Sequence, residues 1–383
     1  MPKRAKVYEC NAAMVYDMNN LAKAHVNAKK DKSSYKEVKE VDGNLSVYLE
    51  ELHDMQKSGF YKTSRYEYFK KREGNKIRDI AKLPYFPDRI HQWAVIQVIE
   101  PFLLRNLVSC TYSALPGRGT YAAYKGVKKA LSSDVLGTQW CMKIDIKKYY
   151  ASIDREILKK TYERLIKDVN VLDMVYEIID SGKGDVGVPI GNYMSQYSGN
   201  IYLSRFDHVV KEDWKVAHYF RYMDDMVFFA RTKAELQDLR LKVFRYLKEE
   251  LHLSVKDNWS IFYVDGHGVD YVGYVFTHSK IRLRSGIVST IRKVSKKVKR
   301  RIKRGLMLTY GLFCSVNGSI VGWLKHCDGG GLFAKYVNPI RCYLDEYYDD
   351  VLCGSLRKKR GDCKWSKYEG RYMIRRRTML FFT

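Results

Sequence analysis

Three acidic side chains raise the chemical question. Asp145 lies in KIDIKKYYASID (143–154), while Asp224 and Asp225 sit in the middle of RYMDDMVFF (221–229). The runs around that pair are aromatic and β-branched and would otherwise make good strands. Carboxylates placed there need a partner, either a structural cation such as a buried arginine or a metal ion. Alone, an Asp-Asp pair between strands is ordinary turn chemistry. Brought next to a third carboxylate, it becomes a set of hard oxygen ligands of the kind that suits Mg²⁺. Two such ions about 3.5–4 Å apart stabilise both the attacking and the leaving oxygen of an in-line phosphoryl transfer.

The elements that must position these residues follow from periodicity. WCMKIDI (140–146) alternates, so Met142, Ile144 and Ile146 face one way and Cys141, Lys143 and Asp145 the other, with Asp145 exposed at the end of a strand. RYMDDMVFF reads as strand, turn, strand. If that hairpin lies beside the first strand, Asp145 and Asp224 meet at the rim of one sheet. Thr232-Lys-Ala-Glu235 is a capping box that opens a helix with the stripe Leu236, Leu239, Val243, Leu247 and Leu251. Residues 58–80 form a basic-tipped hairpin around Glu73-Gly74-Asn75. DRIHQWAVIQVIEPFLLRNL is a buried helix that stops or bends at Pro101. Residues 15–57 are helical and polar with a mixed apolar pattern, 155–180 are helical, and VDYVGYVF (269–276) is β. From about 287 the chain turns basic and helical. Gly182–Gly187 fits G-x-G-x-x-G, but it follows a helix and precedes Pro189, so it reads as a loop rather than a dinucleotide site.

Composition narrows the partner. Lys plus Arg number 69 against 43 Asp plus Glu, a net charge of +26 over 383 residues, which points to nucleic acid. A membrane is disfavoured because no stretch approaches ~18 uninterrupted apolar residues and the N-terminus lacks a signal-peptide core. The eight cysteines are scattered without a C-x-x-C pair, which argues against zinc and suits a reducing cytoplasm. The 31 tyrosines supply rings for base stacking as well as for core edges. A basic protein with such a metal site would be a polymerase or a nuclease.

At this point the sequence resembles the reverse transcriptases, in particular those of bacterial retroelements. Tyr222-Met223-Asp224-Asp225 matches their Y-x-D-D motif, and KIDIKKYYASID resembles their first catalytic motif. VPIGNYMSQ (188–196) stands where they have P-x-G-x-x-x-S, LHLSVKDN (251–258) resembles the lysine motif, VDYVGYVF the primer grip, and VNGSIVGWLKH (316–326) the thumb. GNKIRDI and PDRIHQWAV look like the fingertip and the first fingers helix. The motifs stand in family order over roughly residues 60–330.

The resemblance implies an α+β right-hand polymerase fold, with an N-terminal helical extension (1–57), fingers (58–138) and a palm with an antiparallel sheet (139–280, including helices at 155–185). A basic helical thumb and C-terminal extension (281–383) would follow. Asp145 and Asp224 would ligate two Mg²⁺ ions, with Mn²⁺ as a substitute; Asp225 would be a weaker or indirect ligand, and Ile146 would offer its carbonyl. Arg78 and Lys76 would grip the triphosphate, Tyr150 would lie beneath the sugar and select deoxynucleotides, and Ile190, Gly191 and Gln196 would border the nucleotide. Lys256 would either protonate the departing pyrophosphate or balance charge. Gly273 and Tyr274, with the cations Lys296, Lys297, Lys299, Arg300, Arg301 and Arg304, would hold nucleic acid.

Two departures are informative. Ile190 replaces a common Gln and Gln196 a common Pro, giving an I-G-N-x-x-S-Q string like that of diversity-generating and defence-associated enzymes. Loss of an amide beside the nucleotide suggests relaxed fidelity. The expected partners are an RNA template (a dedicated non-coding RNA), a DNA product, dNTPs and a small accessory protein. The rival readings are an RNA-binding scaffold or maturase that keeps the fold, and an RNA polymerase or nuclease using similar metals.

Overall fold

The computed structural model describes residues 10–73 and 76–347. The basic clusters at 357–360 and 374–377, within the expected C-terminal extension, lie outside the described residues. The N-terminal stretch forms four helices, α1 (Ala12–Tyr16), α2 (Met18–Ala28), α3 (Lys36–Gly43) and α4 (Leu45–Lys57). Its apolar residues are few but well used. Val15, Leu21, Ala24 and Leu52 are fully buried, and α1 and α2 pack on α5 (Ile90–Arg105). The pattern looked mixed because Val47 faces solvent while Leu49 and Leu52 face the core.

Of the two outcomes expected at Pro101, a stop is not what occurs: helix α5 continues through it to Arg105. A proline interrupts the hydrogen-bond ladder locally, and here Ile99 and Leu103, both fully buried, anchor the helix on either side of it. The basic hairpin is β1 (Glu67–Glu73) against β2 (Lys76–Lys82), antiparallel with Lys71 opposite Arg78. Its turn residues, Gly74 and Asn75, lie outside the described residues.

Next along the chain come α6 (Thr120–Ser133), β3 (Trp140–Asp145), α7 (Tyr149–Ser152), α8 (Arg155–Leu165), α9 (Val169–Asp180), α10 (Met194–Tyr202) and α11 (Ser204–His208). They are followed by β4 (His218–Tyr222), β5 (Asp225–Ala230), α12 (Lys233–Glu249) and β6 (Ser260–Tyr263). The four strands form one sheet in the order β4-β5-β3-β6. Hairpin β4-β5 therefore lies directly beside β3, with Asp145 opposite Asp225. Met142, Ile144, Met226 and Phe228 are essentially buried, as are Cys141 and Val227 on the other face. Helix α12 packs on β3 and β5, and its first turn is capped by Thr232, whose Oγ1 accepts from the Glu235 N–H at 3.2 Å.

Among the described residues, contact density separates two compact units. One runs to Ala130 and includes Leu136–Phe262; the other comprises Leu131–Val135 and the residues from Tyr263. The second unit holds α13 (Val264–His267), a three-stranded sheet of β7 (Val269–Tyr271), β8 (Tyr274–Phe276) and β9 (Ile281–Leu283), then α14 (Ser285–Lys303) and shorter helices. Strand β9 was not foreseen from sequence. The Ile281 N–H donates to Asp328 Oδ2 at 2.7 Å, which helps hold it in place. The β7-β8 turn has positive φ at both central residues, +43° at Val272 and +94° at Gly273, as a type I′ hairpin requires.

Candidate active site

Backbone geometry brings the motif residues to one end of the four-stranded sheet. Beyond β3, Ile146 bridges to Val255; the Lys256 N–H donates to the Asp145 carbonyl and the Lys147 N–H to the Ser254 carbonyl, both at 2.8 Å. Successive peptide groups in extended chain point to opposite edges. The Ile146 carbonyl therefore points away from Val255, toward the edge on which the Met223-Asp224 turn lies.

The carboxylates are not equivalent. Asp224 is half-buried, and its carboxyl is pushed up from 3.8 to about 6, first by burial and then by the adjacent Asp145 charge. Asp145 is held on one side by Lys256, whose Nζ lies 2.6 Å from Oδ2. Its other oxygen, Oδ1, is buried and receives no hydrogen bond. Asp225 turns to Lys143, with Nζ 3.4 Å from Oδ2. Among the described residues no three His, Cys, Asp or Glu side chains form a metal cluster. The donor set that fits is smaller: Asp145 through its orphaned oxygen, Asp224, and the Ile146 carbonyl. Mg²⁺ is commonly held by one or two carboxylates, with waters and substrate phosphates completing its shell, so this set suits it. A cation would also relieve the repulsion that raises Asp224.

The buried arginine posed as an alternative partner exists, but it sits behind the turn. Arg221 is fully buried. It donates from Nε to both oxygens of Asp207 at 2.9 and 3.0 Å and from Nη2 to Oδ2 at 2.5 Å. Its Nη1 donates to the Met223 carbonyl at 3.1 Å, and Nη2 to the Asn200 carbonyl at 3.2 Å. Asp207 also accepts from Tyr219 Oη at 2.7 Å and Thr111 Oγ1 at 3.0 Å. The ion pair thus fixes the peptide preceding Asp224 and leaves the carboxylate to other work. Sequence reading missed this brace. The available signal was a lone arginine in a strand flanked by aromatic residues, which requires a buried acid somewhere.

Gly199 was also missed. A Cβ there would lie 3.0 Å from Met223 Sδ and 3.3 Å from Cε1 of both Tyr149 and Tyr150. Its absence lets α10 approach the Y-x-D-D turn and the tyrosine pair at once. The Tyr149 hydroxyl donates to the Gly199 carbonyl. Tyr150 is raised to about 12, chiefly by burial and next by the Asp224 charge, while Arg78 works in the opposite direction. Tyr150 therefore lies within electrostatic reach of both Asp224 and Arg78.

The P-x-G segment is stitched to β2: the Ala81 N–H donates to the Ile190 carbonyl at 2.7 Å. Gly191, at φ +120°, lies so close to the Ala81 carbonyl that a Cβ would collide with it. Gln196 is exposed on α10, and the side chain of Lys76 lies outside the described residues. In the second unit Tyr274 is buried, its ring stacked on Trp323 at 5.7 Å. Gly273 is in place because a Cβ would sit 2.5 Å from Trp323 Cζ3. Both residues are thus packed, and the Tyr274 ring is not presented to a base. On α14, Ile291, Ser295 and Val298 are buried, whereas Lys296, Lys297 and Arg300 are exposed, as is Arg304 just beyond. Lys299 is half-buried. Arg301 donates to the Met307 carbonyl at 2.7 and 3.0 Å and so caps the loop after the helix.

One end of the four-stranded sheet thus carries the paired carboxylates and the braced turn. The family model for reverse transcriptase (RNA-dependent DNA polymerase) matches residues 69–276, and the chain belongs to that family of RNA-directed DNA polymerases. It is 27% identical over 302 residues to protein YkfC of Escherichia coli, covering 66% of this chain and 77% of that one. It is 26% identical over 179 residues to the group II intron-encoded protein LtrA of Lactococcus lactis, covering 44% of this chain and only 29% of LtrA. A structure of Candida albicans telomerase with a fragment of telomeric RNA aligns at 14% identity and a TM-score of 0.46, over 76% of this chain and 61% of that one. The resemblance to bacterial retroelement enzymes is borne out at that level. No helix among the described residues is long and apolar enough to cross a membrane.

Proposed function

We propose that the chain extends a 3′ end on an RNA template with deoxynucleotides, using Mg²⁺ held by Asp145, Asp224 and the Ile146 carbonyl. The observation that carries this is the convergence of Asp145 and Asp224 at one sheet rim, with a buried unbonded oxygen and a carboxyl raised to about 6. When bound, the cations would lower the charge on the nucleotide's phosphates and on the attacking oxygen. The chain's own residues do the rest. Arg221 sets the turn, and Lys256 balances Asp145 and is a candidate proton donor to the leaving group. Tyr150 walls the sugar and excludes a 2′-hydroxyl, while Arg78 and Lys76 of the fingers hairpin face the triphosphate. Exposed Lys296, Lys297, Arg300 and Arg304 contact the duplex backbone in a thumb. The domain boundaries drawn from sequence belong to this proposal.

The biological setting we favour is a cytoplasmic retroelement that copies a dedicated non-coding RNA, for mutagenic diversification or antiphage defence. The support is the I-G-N-x-x-S-Q string, whose Ile190 carbonyl accepts from the Ala81 N–H on the strand that carries Arg78. A small accessory protein would be a further partner. Because LtrA is intron-encoded and another relative is an Arabidopsis thaliana nuclear intron maturase (24% identical over 102 residues), RNA binding without polymerisation is the second reading. Primer extension on matched RNA and DNA templates, with labelled dNTPs or rNTPs, separates the two. Polymerisation on RNA with dNTPs, rNTP incorporation that rises in Tyr150→Ala, and silence in EDTA are expected. RNA binding with no extension under any metal would select the second reading.

A further inference from the structure

Behind the P-x-G segment a buried hydrogen-bond chain links three separate elements. Asn192 and Tyr66 are 5% and 7% exposed. Asn192 Nδ2 donates to Tyr66 Oη at 2.8 Å, Tyr66 Oη lies 3.0 Å from Ser181 Oγ, and Ser181 Oγ donates to the Ile178 carbonyl of α9 at 2.7 Å. The other end of the amide is occupied as well, since the Met194 N–H donates to Asn192 Oδ1 at 2.9 Å.

The direction of every bond follows from the two ends. The Ile178 carbonyl can only accept, so the Ser181 proton goes there and Tyr66 gives its own proton to Ser181. Tyr66 Oη is then left to accept. The Met194 N–H can only donate, which fixes the amide oxygen on that side and turns the amide nitrogen to Tyr66. Burial raises the Tyr66 hydroxyl above its ordinary 10, so its proton stays in the chain. A carboxylate at position 192 would offer Tyr66 no donor.

The chain ends at the foot of the fingers hairpin. Tyr66 immediately precedes β1, and Ala81 of β2 pairs with Tyr68 of β1. Because the Ala81 N–H donates to the Ile190 carbonyl at 2.7 Å, residues 190–192 grip the hairpin on both strands. Ser195 Oγ donates to the Pro189 carbonyl at 2.7 Å and the Tyr193 N–H to Gln92 Oε1 at 3.1 Å, which closes the segment on itself and fastens it to α5. Arg78 stands three residues from Ala81 along β2, about 10 Å at ~3.3 Å per residue. A tilt of about 6° at the foot moves it by ~1 Å, and an error of that size in a positioned group costs up to about a hundred-fold.

We propose that Asn192 is a positioning residue for the incoming nucleotide, a role that rests on the polymerase site proposed above. Its amide ties Ile190 and Gly191, expected to border the nucleotide, to the hairpin that carries Arg78, so that the two sides of the nucleotide site keep one geometry.

Primer extension on an RNA template with titrated dNTP tests this in Tyr66→Phe and Asn192→Asp, each alone and combined with Arg78→Ala. Both substitutions nearly keep the side chain's shape. Each should raise KM for dNTP by about five- to twenty-fold, the scale of one buried hydrogen bond, and lower kcat by less than about two-fold. In the Arg78→Ala background the same changes should add less than about two-fold to KM, because the group they position is gone. A merely structural loss would instead lower kcat through the active fraction and multiply the Arg78→Ala effect in full. Ser181→Ala, at the half-buried end of the chain, should raise KM by roughly two- to three-fold and keeps the test open where the inner variants fold poorly. An unchanged KM in all three single variants, or full multiplication with Arg78→Ala, overturns the positioning role and leaves the polymerase site standing. A wild type that neither extends the primer nor binds dNTP on a chain-terminated primer removes that site, and the positioning role with it.

Discussion

Replacing Arg221 with Met removes the brace behind the catalytic turn at nearly constant volume. The loss can be sized from its partners. Asp207 is fully buried and would keep only the Tyr219 and Thr111 hydroxyls as donors. Stranding one member of a buried pair costs about 3–5 kcal/mol, and the carbonyls of Met223 and Asn200 lose a charged donor as well. Arg221→Met should therefore lower unfolding free energy by ~4 kcal/mol in urea titrations. The double variant Arg221→Met/Asp207→Asn removes both charges and should recover most of that stability. It should not recover primer extension, because nothing then fixes the Met223 carbonyl and Asp224 loses its set position. We expect kcat to fall by roughly ten- to a hundred-fold, on the scale of about 1.4–2.7 kcal/mol in the barrier, with KM for dNTP little changed. A double variant with wild-type turnover, or a single variant losing under ~1 kcal/mol, would refute this reasoning.

Two further outcomes follow from the same geometry. Gly199→Ala places a methyl 3.0 Å from Met223 Sδ and 3.3 Å from two tyrosine rings; although alanine favours a helix by about 0.5–1 kcal/mol over glycine, polymerase activity should drop at least five-fold with little change in melting temperature. In metal-free protein the native Asp224 binds its proton more tightly than the unfolded chain, about 6 against 3.8. Its contribution is most favourable below pH ~4 and is lost as pH rises through 6. The gap of about 2 pH units corresponds to ~3 kcal/mol before solvent screening and about 1–2 after it. Asp224→Asn should accordingly stabilise the metal-free protein by about 1–2 kcal/mol at pH 7 and by nothing near pH 4, checked by denaturation at both values.

Much of the site was legible because its elements are locally encoded. The alternation of WCMKIDI, the turn in RYMDDMVFF and the Thr232 N-cap each specify structure within ten residues, and all three formed, the last through the Thr232 half of the expected capping box. What the sequence hid depends on convergence. Arg221 meets Asp207 from a separate helix, and Asn200 from another. Gly199 has meaning only once the Y-x-D-D turn and the tyrosine pair press on the same side of α10. The resemblance makes Tyr274 a nucleic-acid contact, and its packing shows only once Trp323, forty-nine residues later, stacks on it. Arg301 shows the same limit for charge. A cation in a basic run is counted as a phosphate contact, yet its guanidinium closes its own helix through the Met307 carbonyl.

The central claim is that Asp145 and Asp224 together take up a divalent cation. Electron paramagnetic resonance titration of Mn²⁺, with primed RNA template and a non-reactive dNTP analogue present, measures that uptake directly. Wild type should bind Mn²⁺ with saturable stoichiometry, and Asp145→Asn and Asp224→Asn should each weaken it at least ten-fold while retaining template binding. Unchanged Mn²⁺ affinity in both variants would contradict the account.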